Sequence, residues 1–321
     1  MKIYKQQIRK LLNNIPKQET RAIDLVIEGG GFNGSYALGS LLFIKRICKR
    51  DNITVKRISA TSIGSILAIC FITGKFNIFY KLYERVRLHW KTHYNFSIIR
   101  SSLESLNLKS RHLKIINDKL HLTYFNASSL SRERKSSWTS IHDLYEDICK
   151  SCYIPALGDE NGSLVGTGKD GKYFIDGGLP YIFGDGSREI LYVSLVHLKN
   201  LNGILSTNGE KKHDARILQG LIDTYDFYKN GGTRPTIMCS WYNKWSFRDV
   251  FINKIKVLSV NIFFIMCSII FHILPTIREI WKVFEQTLLN KLPIYNIIKP
   301  LTLFILTYIK YFIIELIIYM L

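Results

Sequence analysis

The chain has 321 residues, of which 44 are Lys or Arg and 25 are Asp or Glu, a formal charge of +19, yet 47% are hydrophobic and 13% aromatic. So much apolar side chain excludes a disordered basic tail, because it suffices to bury a sizeable core. The uncompensated charge calls for an acidic partner, and the candidates are nucleic acid, an anionic membrane surface or an anionic substrate.

Residues 1–20 are basic but hold no apolar run of signal-peptide length, so they read as an N-terminal extension without a signal peptide. Ile23–Glu28 (IDLVIE) is an apolar strand that runs into glycines, and Ser35–Lys49 has the apolar spacing of a helix. Val55–Ser59 predicts a second strand and Ile63–Thr73 a buried helix. Ser140–Cys152 predicts a helix opened by Ser140, with Asp143 three residues on. Lys172–Asp176 and Glu189–Val196 are later strands. Strand, turn and helix recur in an order that gives a parallel-sheet α/β architecture.

Near residue 250 the pattern changes. Residues 1–250 hold 37 basic and 22 acidic side chains, whereas the last 71 residues hold 7 and 3. Val257–Leu274 is 18 residues without a formal charge, about 27 Å as a helix and close to the hydrocarbon thickness of a bilayer. Leu301–Leu321 is a second apolar block, broken only by Lys310 and Glu315. Both blocks are expected to associate with a membrane, the alternative being a buried helical hairpin. The six cysteines are widely spread and form no disulfide framework. Cys149 and Cys152 make a CxxC with no second pair or histidine to complete a zinc site, so no metal is expected.

Chemistry concentrates in three places. EGGGFNGSYALG puts Gly29, Gly30, Gly31 and Gly34 between a strand and a helix, where backbone N–H groups can face an anion or oxyanion. Read as G-x-G-x-x-G it can also be a dinucleotide fingerprint, but Asp51 precedes the second strand instead of ending it. RISATSIGSI places Ser62 between a strand and an apolar helix, with Ala60 and Gly64 as small neighbours. That is the setting of a strained nucleophile elbow, or merely of a helix cap. KYFIDGGLP ends a strand on Asp176 before Gly177 and Gly178, a pattern shared with ordinary turns. His197 and His213 follow Asp176 and leave a Ser/His/Asp triad open.

Together and in this order, GGGFNG, ATSIG and DGG resemble the glycine-rich oxyanion loop, nucleophile elbow and catalytic aspartate motif of the patatin-like phospholipases. Ser151–Pro155 (SCYIP) is similar to the small-residue and proline stretch that precedes the family's aspartate. The resemblance covers roughly residues 24–188. It implies a three-layer α/β/α domain with a mainly parallel sheet over residues 21–250, followed by the hydrophobic helical tail 251–321. It also implies a Ser62/Asp176 dyad, without metal or cofactor, acting on phospholipid or another lipid ester. The oxyanion hole would be formed around Gly29, Gly30, Gly31, Asn33 and Gly34, with Ala60, Gly64, Gly177 and Gly178 completing the motifs. The family usually has Arg or Lys where this chain has Asn33, and Gly where it has Ala60.

From Lys75 to Lys119 ten basic residues stand against three acids, interleaved with aromatics such as Phe79, Tyr83, Trp90 and Phe96. An anionic membrane surface suits that mixture, and a solvated helix face is the bland alternative. No nucleic-acid-binding pattern accompanies the charge, and no obligate protein partner is inferred. The reading is therefore a membrane-associated lipid acyl hydrolase. Its rival is a patatin-like membrane-attached protein that is catalytically weak or inactive.

Overall fold

The computed structural model describes residues 2–197, 203–206 and 213–287. The chain begins with α1 (Lys2–Leu12), β1 (Ala22–Ile27), α2 (Gly34–Arg50), β2 (Thr54–Thr61) and α3 (Ile63–Thr73). There follow α4 (Phe76–His93), α5 (Ile99–Glu104), α6 (Ser110–Asn117), β3 (Leu120–Asn126), β4 (Ser131–Lys135) and α7 (Ile141–Ser151). The rest is β5 (Gly166–Thr167), β6 (Tyr173–Ile175), β7 (Glu189–Val193), α8 (Asp214–Lys229), β8 (Cys239–Trp241) and α9 (Phe247–Thr287). The Leu301–Leu321 block lies outside the described residues.

One sheet runs β5-β6-β3-β2-β1-β7-β8, with β4 paired to β3. Its centre, β3-β2-β1-β7, is parallel, and the outer pairings are antiparallel. The mainly parallel expectation therefore holds for the central strands. Parallel strands need covered faces, and β1 shows why this segment sits in the middle. Ile23, Leu25 and Ile27 enter the main core on one face, while Val26 joins a smaller cluster with Phe183, Ile190 and Tyr192 on the other.

That second face is also covered by α9, whose Phe264 packs on Phe125 of β3. Phe247–Ile273 is long and apolar enough to cross a membrane by length and composition. At the other end, α1 is more than an appendage, since its Tyr4 and Ile8 are buried in the main core. The basic and aromatic stretch resolves into helix periodicity. Phe79, Tyr83 and Phe96 point into the core, while Lys81, Arg85 and Lys91 are exposed. Helix α7 starts as its sequence asks. Ser140 Oγ accepts the Asp143 N–H and the Asp143 carboxylate accepts the Ser140 N–H, a capping box.

Candidate active site

Ser62 is the residue between β2 and α3, at φ 51° and ψ −136°. Positive φ in a residue with a side chain is strained, and the surroundings hold it there. A Cβ on Gly64 would stand 2.4 Å from the Glu28 carbonyl oxygen, and one on Gly29 would stand 2.8 Å from Ser62 Cβ. Only glycine lets the first loop, the elbow and the helix meet this closely. Ala60 is an extended residue inside β2, paired with Ile27 and Leu122, so it bears none of the positive-φ strain that the glycine-to-alanine difference raises.

Asp176 follows β6 and is placed by the segment after α7. Its N–H donates to the Tyr153 carbonyl at 2.7 Å, and the Gly177 N–H donates to the Ser151 carbonyl at 3.4 Å. Ser151 also holds the serine: its Oγ accepts the Ser62 N–H at 2.9 Å and donates to the Thr123 carbonyl at 2.7 Å. One buried residue thus fixes both turns, a role that the SCYIP stretch does not announce.

Asp176 is 7% exposed and Ser62 6%. Oδ1 accepts the Gly178 N–H at 2.7 Å, whereas Oδ2 is buried and makes no hydrogen bond among the described residues. Burial pushes the Asp176 pKa up to about 7, opposed by the nearby Ser62 side chain and the Gly178 N–H. The serine hydroxyl is thus near enough to stabilise the carboxylate, though no hydrogen bond of ordinary geometry closes between them.

The glycine loop faces the elbow. The Phe32 N–H donates to the Ile204 carbonyl and the Asn33 N–H to the Gly30 carbonyl, while the Gly30 and Gly31 N–H groups make no hydrogen bond among the described residues. Gly31 has φ 49°, and a Cβ there would lie 2.3 Å from the Ile204 carbonyl oxygen. Gly34 begins α2, so the loop sits at the positive end of a 17-residue helix.

Asn33 is fully buried and belongs to the frame of the loop. Its Nδ2 donates to the Leu195 carbonyl, and its Oδ1 lies 3.4 Å from Arg216 Nη1. Arg216, on α8, also donates to the carbonyls of Gly203 and Ser206. A buried guanidinium therefore reaches the loop from a distant helix, although position 33 itself is neutral. Nothing in the sequence around Arg216 marks it, because only tertiary packing brings α8 to the loop.

Ser62 opens on an apolar cavity of about 30 Å³ that Gly31, Ile66, Leu82, Val86, Phe96 and Ile154 help to line. No histidine lines it. His213 is instead buried with Nδ1 bonded to Glu84 and its ring against Tyr80 and Tyr83. Among the described residues no group of three or more His, Cys, Asp or Glu side chains could hold a metal ion, and Cys149 and Cys152 are free thiols.

The family model of the patatin-like phospholipases matches residues 25–135, which include the glycine loop and Ser62 but not Asp176. Human patatin-like phospholipase domain-containing protein 4 is 27% identical over 168 residues, covering 49% of this chain. The chain spans 64% of the length of that relative. The crystal structure of VipD from Legionella pneumophila aligns over 53% of this chain and 48% of that one, at 14% identity and a TM-score of 0.31.

Proposed function

We propose, for a chain whose residues 25–135 match the family model of the patatin-like phospholipases, a lipid acyl hydrolase that works through Ser62 and Asp176. The observation that carries this reading is a buried carboxyl, its pKa pushed up to about 7 by burial, beside a serine that is held at positive φ and lines an apolar cavity. An ordinary aspartate is too weak a base at neutral pH, and desolvation is what would fit Asp176 to the task.

In the proposed reaction Ser62 Oγ attacks the ester carbonyl while Asp176 takes the hydroxyl proton. The Gly30 and Gly31 N–H groups, at the start of α2, donate to the oxygen that becomes negative in the tetrahedral intermediate. Such donors lower the barrier by about 3 to 4 kcal/mol. Collapse expels the alcohol, which receives the proton from Asp176. Asp176 then deprotonates water for attack on the acyl-Ser62 ester, and the fatty acid and free serine are released. The cavity beyond Ser62 would take the start of the acyl chain.

Product analysis on mixed phospholipid vesicles tests the reading. Release of fatty acid by the parent, and its loss in Ser62→Ala and Asp176→Asn, is expected, together with labelling of Ser62 by a fluorophosphonate. Equal rates in parent and variants would overturn the dyad, and absence of both hydrolysis and labelling would favour an inactive membrane-attached protein.

A further inference from the structure

Helix α9 is apolar on two opposite sides. Its inward side packs on the domain: Phe264 meets Phe125 with ring centroids 5.4 Å apart, Phe271 meets Tyr173 at 4.9 Å, and Val260 and Phe264 cover Gly178, two residues from Asp176. On the outward side Ile255, Leu258, Ile262, Met266, Ile269 and Ile273 recur every three or four residues, each 45–59% exposed. A helix whose outer face meets water carries polar residues there. Here residues 257–273 hold no formal charge at all.

We propose that this outward face is a membrane-docking surface, and that α9 lies flat in the outer layer of an anionic bilayer with the whole domain on one side. Three observations favour lipid as the occupant and a flat placement. The N-terminal end of the stripe carries exposed Lys244, Arg248 and Lys254 against one acid, Asp249, itself capped by Ser246. That is the arrangement that anionic headgroups attract at the edge of an immersed apolar face. A spanning helix must meet lipid all round over about 20 residues, whereas Val260, Phe263, Phe264, Cys267 and Phe271 are taken up by the domain. The inward side of the same segment touches the turn that bears Asp176, so docking would bring a bilayer beside the site. That last point rests on the acyl-hydrolase reading, and the others do not.

The test floats the full chain with phosphatidylcholine vesicles, with and without phosphatidylserine. The parent is expected to float preferentially with the anionic vesicles. The combined Leu258→Glu, Ile262→Glu and Met266→Glu variant should lose about tenfold or more of that binding, with unchanged hydrolysis of a soluble short-chain ester. Placement is read from Lys254→Cys and His272→Cys, both on the polar flank of α9. A membrane-impermeant thiol reagent added outside preloaded vesicles should label both above the background of the parent. Unchanged flotation of the triple variant overturns the proposal. So does protection of His272→Cys alone, which means crossing. A lipid-free dimer that the triple substitution splits into monomers makes a second copy the occupant and equally overturns it. Ser62→Ala should float like the parent, so a protein that docks yet hydrolyses nothing would sink the hydrolase reading and leave the docking surface standing.

Discussion

Ser151 Oγ accepts the Ser62 N–H at 2.9 Å, while the Ser151 carbonyl accepts the Gly177 N–H. The residue proposed as nucleophile follows β2 and the one proposed as base follows β6, two strands separated in the sheet by β3, and this serine is a joint between them. Ser151→Ala leaves the Ser62 N–H buried without an acceptor, at a cost of about 1 to 3 kcal/mol. We expect kcat on a soluble ester to fall roughly tenfold to a hundredfold, with KM nearly unchanged because Ser151 lines no part of the apolar cavity. Steady-state kinetics beside a thermal melt checks this, and a lower melting temperature with normal kcat would make Ser151 purely structural.

The Asp176 pKa, pushed up by burial to about 7, fixes the direction of the pH dependence. A general base must be ionised, so kcat/KM on a non-titrating ester should rise about tenfold per unit below pH 7 and level off above it. A flat profile between pH 5 and 8 would exclude Asp176 as the base.

Stability should move the opposite way. The folded carboxyl binds its proton more tightly than the unfolded one, whose pKa is near 3.8. Its stabilising contribution is therefore full below about pH 4, declines as pH rises towards 7, and is constant above. Asp176→Asn should remove that slope and stabilise the protein at pH 8 relative to the parent, as chemical denaturation at pH 5 and pH 8 would reveal.

How much of this was legible in the sequence depends on whether a feature is local. β1, the glycine loop, Ser62 and α3 were readable because glycines and a small-residue turn punctuate apolar runs within about 50 residues. β3 was not expected, since Leu120–Asn126 (LHLTYFN) follows α6 almost directly, without glycine or proline to mark its start. The basic and aromatic side chains around α4 stand together in the sequence, and only the helix shows that it sends Phe79 and Tyr83 inward and Lys81, Arg85 and Lys91 outward. Arg216 and Ser151 acquire their places only when α8 and α7 pack, and periodicity carries no trace of that.

Gly31→Ala should test the oxyanion loop with little ambiguity. The position combines φ 49° with a Cβ that would stand 2.3 Å from a backbone oxygen, so the loop has to move. Loss of oxyanion donors costs two to three decades in kcat. Fluorophosphonate labelling of Ser62 should slow in parallel, because it passes through a similar oxyanion. Retained labelling at the parental rate would place the stabilising donors elsewhere.

The Asn33–Arg216 pair carries a prediction that neither residue makes alone. The resemblance leads one to expect a cation at position 33, and here the guanidinium arrives from α8, with Nη1 3.4 Å from Asn33 Oδ1. Asn33→Arg would bury a second positive charge beside the first, so a loss of several kcal/mol in stability is expected. Arg216→Met should also destabilise, because the carbonyls of Gly203 and Ser206 lose their donor. Combining the two removes the repulsion and gives the new arginine the vacated space. The double variant should therefore be more stable than the sum of the single effects, with a favourable coupling of about 1 to 3 kcal/mol. Urea denaturation of the four proteins measures the coupling, and strict additivity would mean that the two positions do not share one charge site.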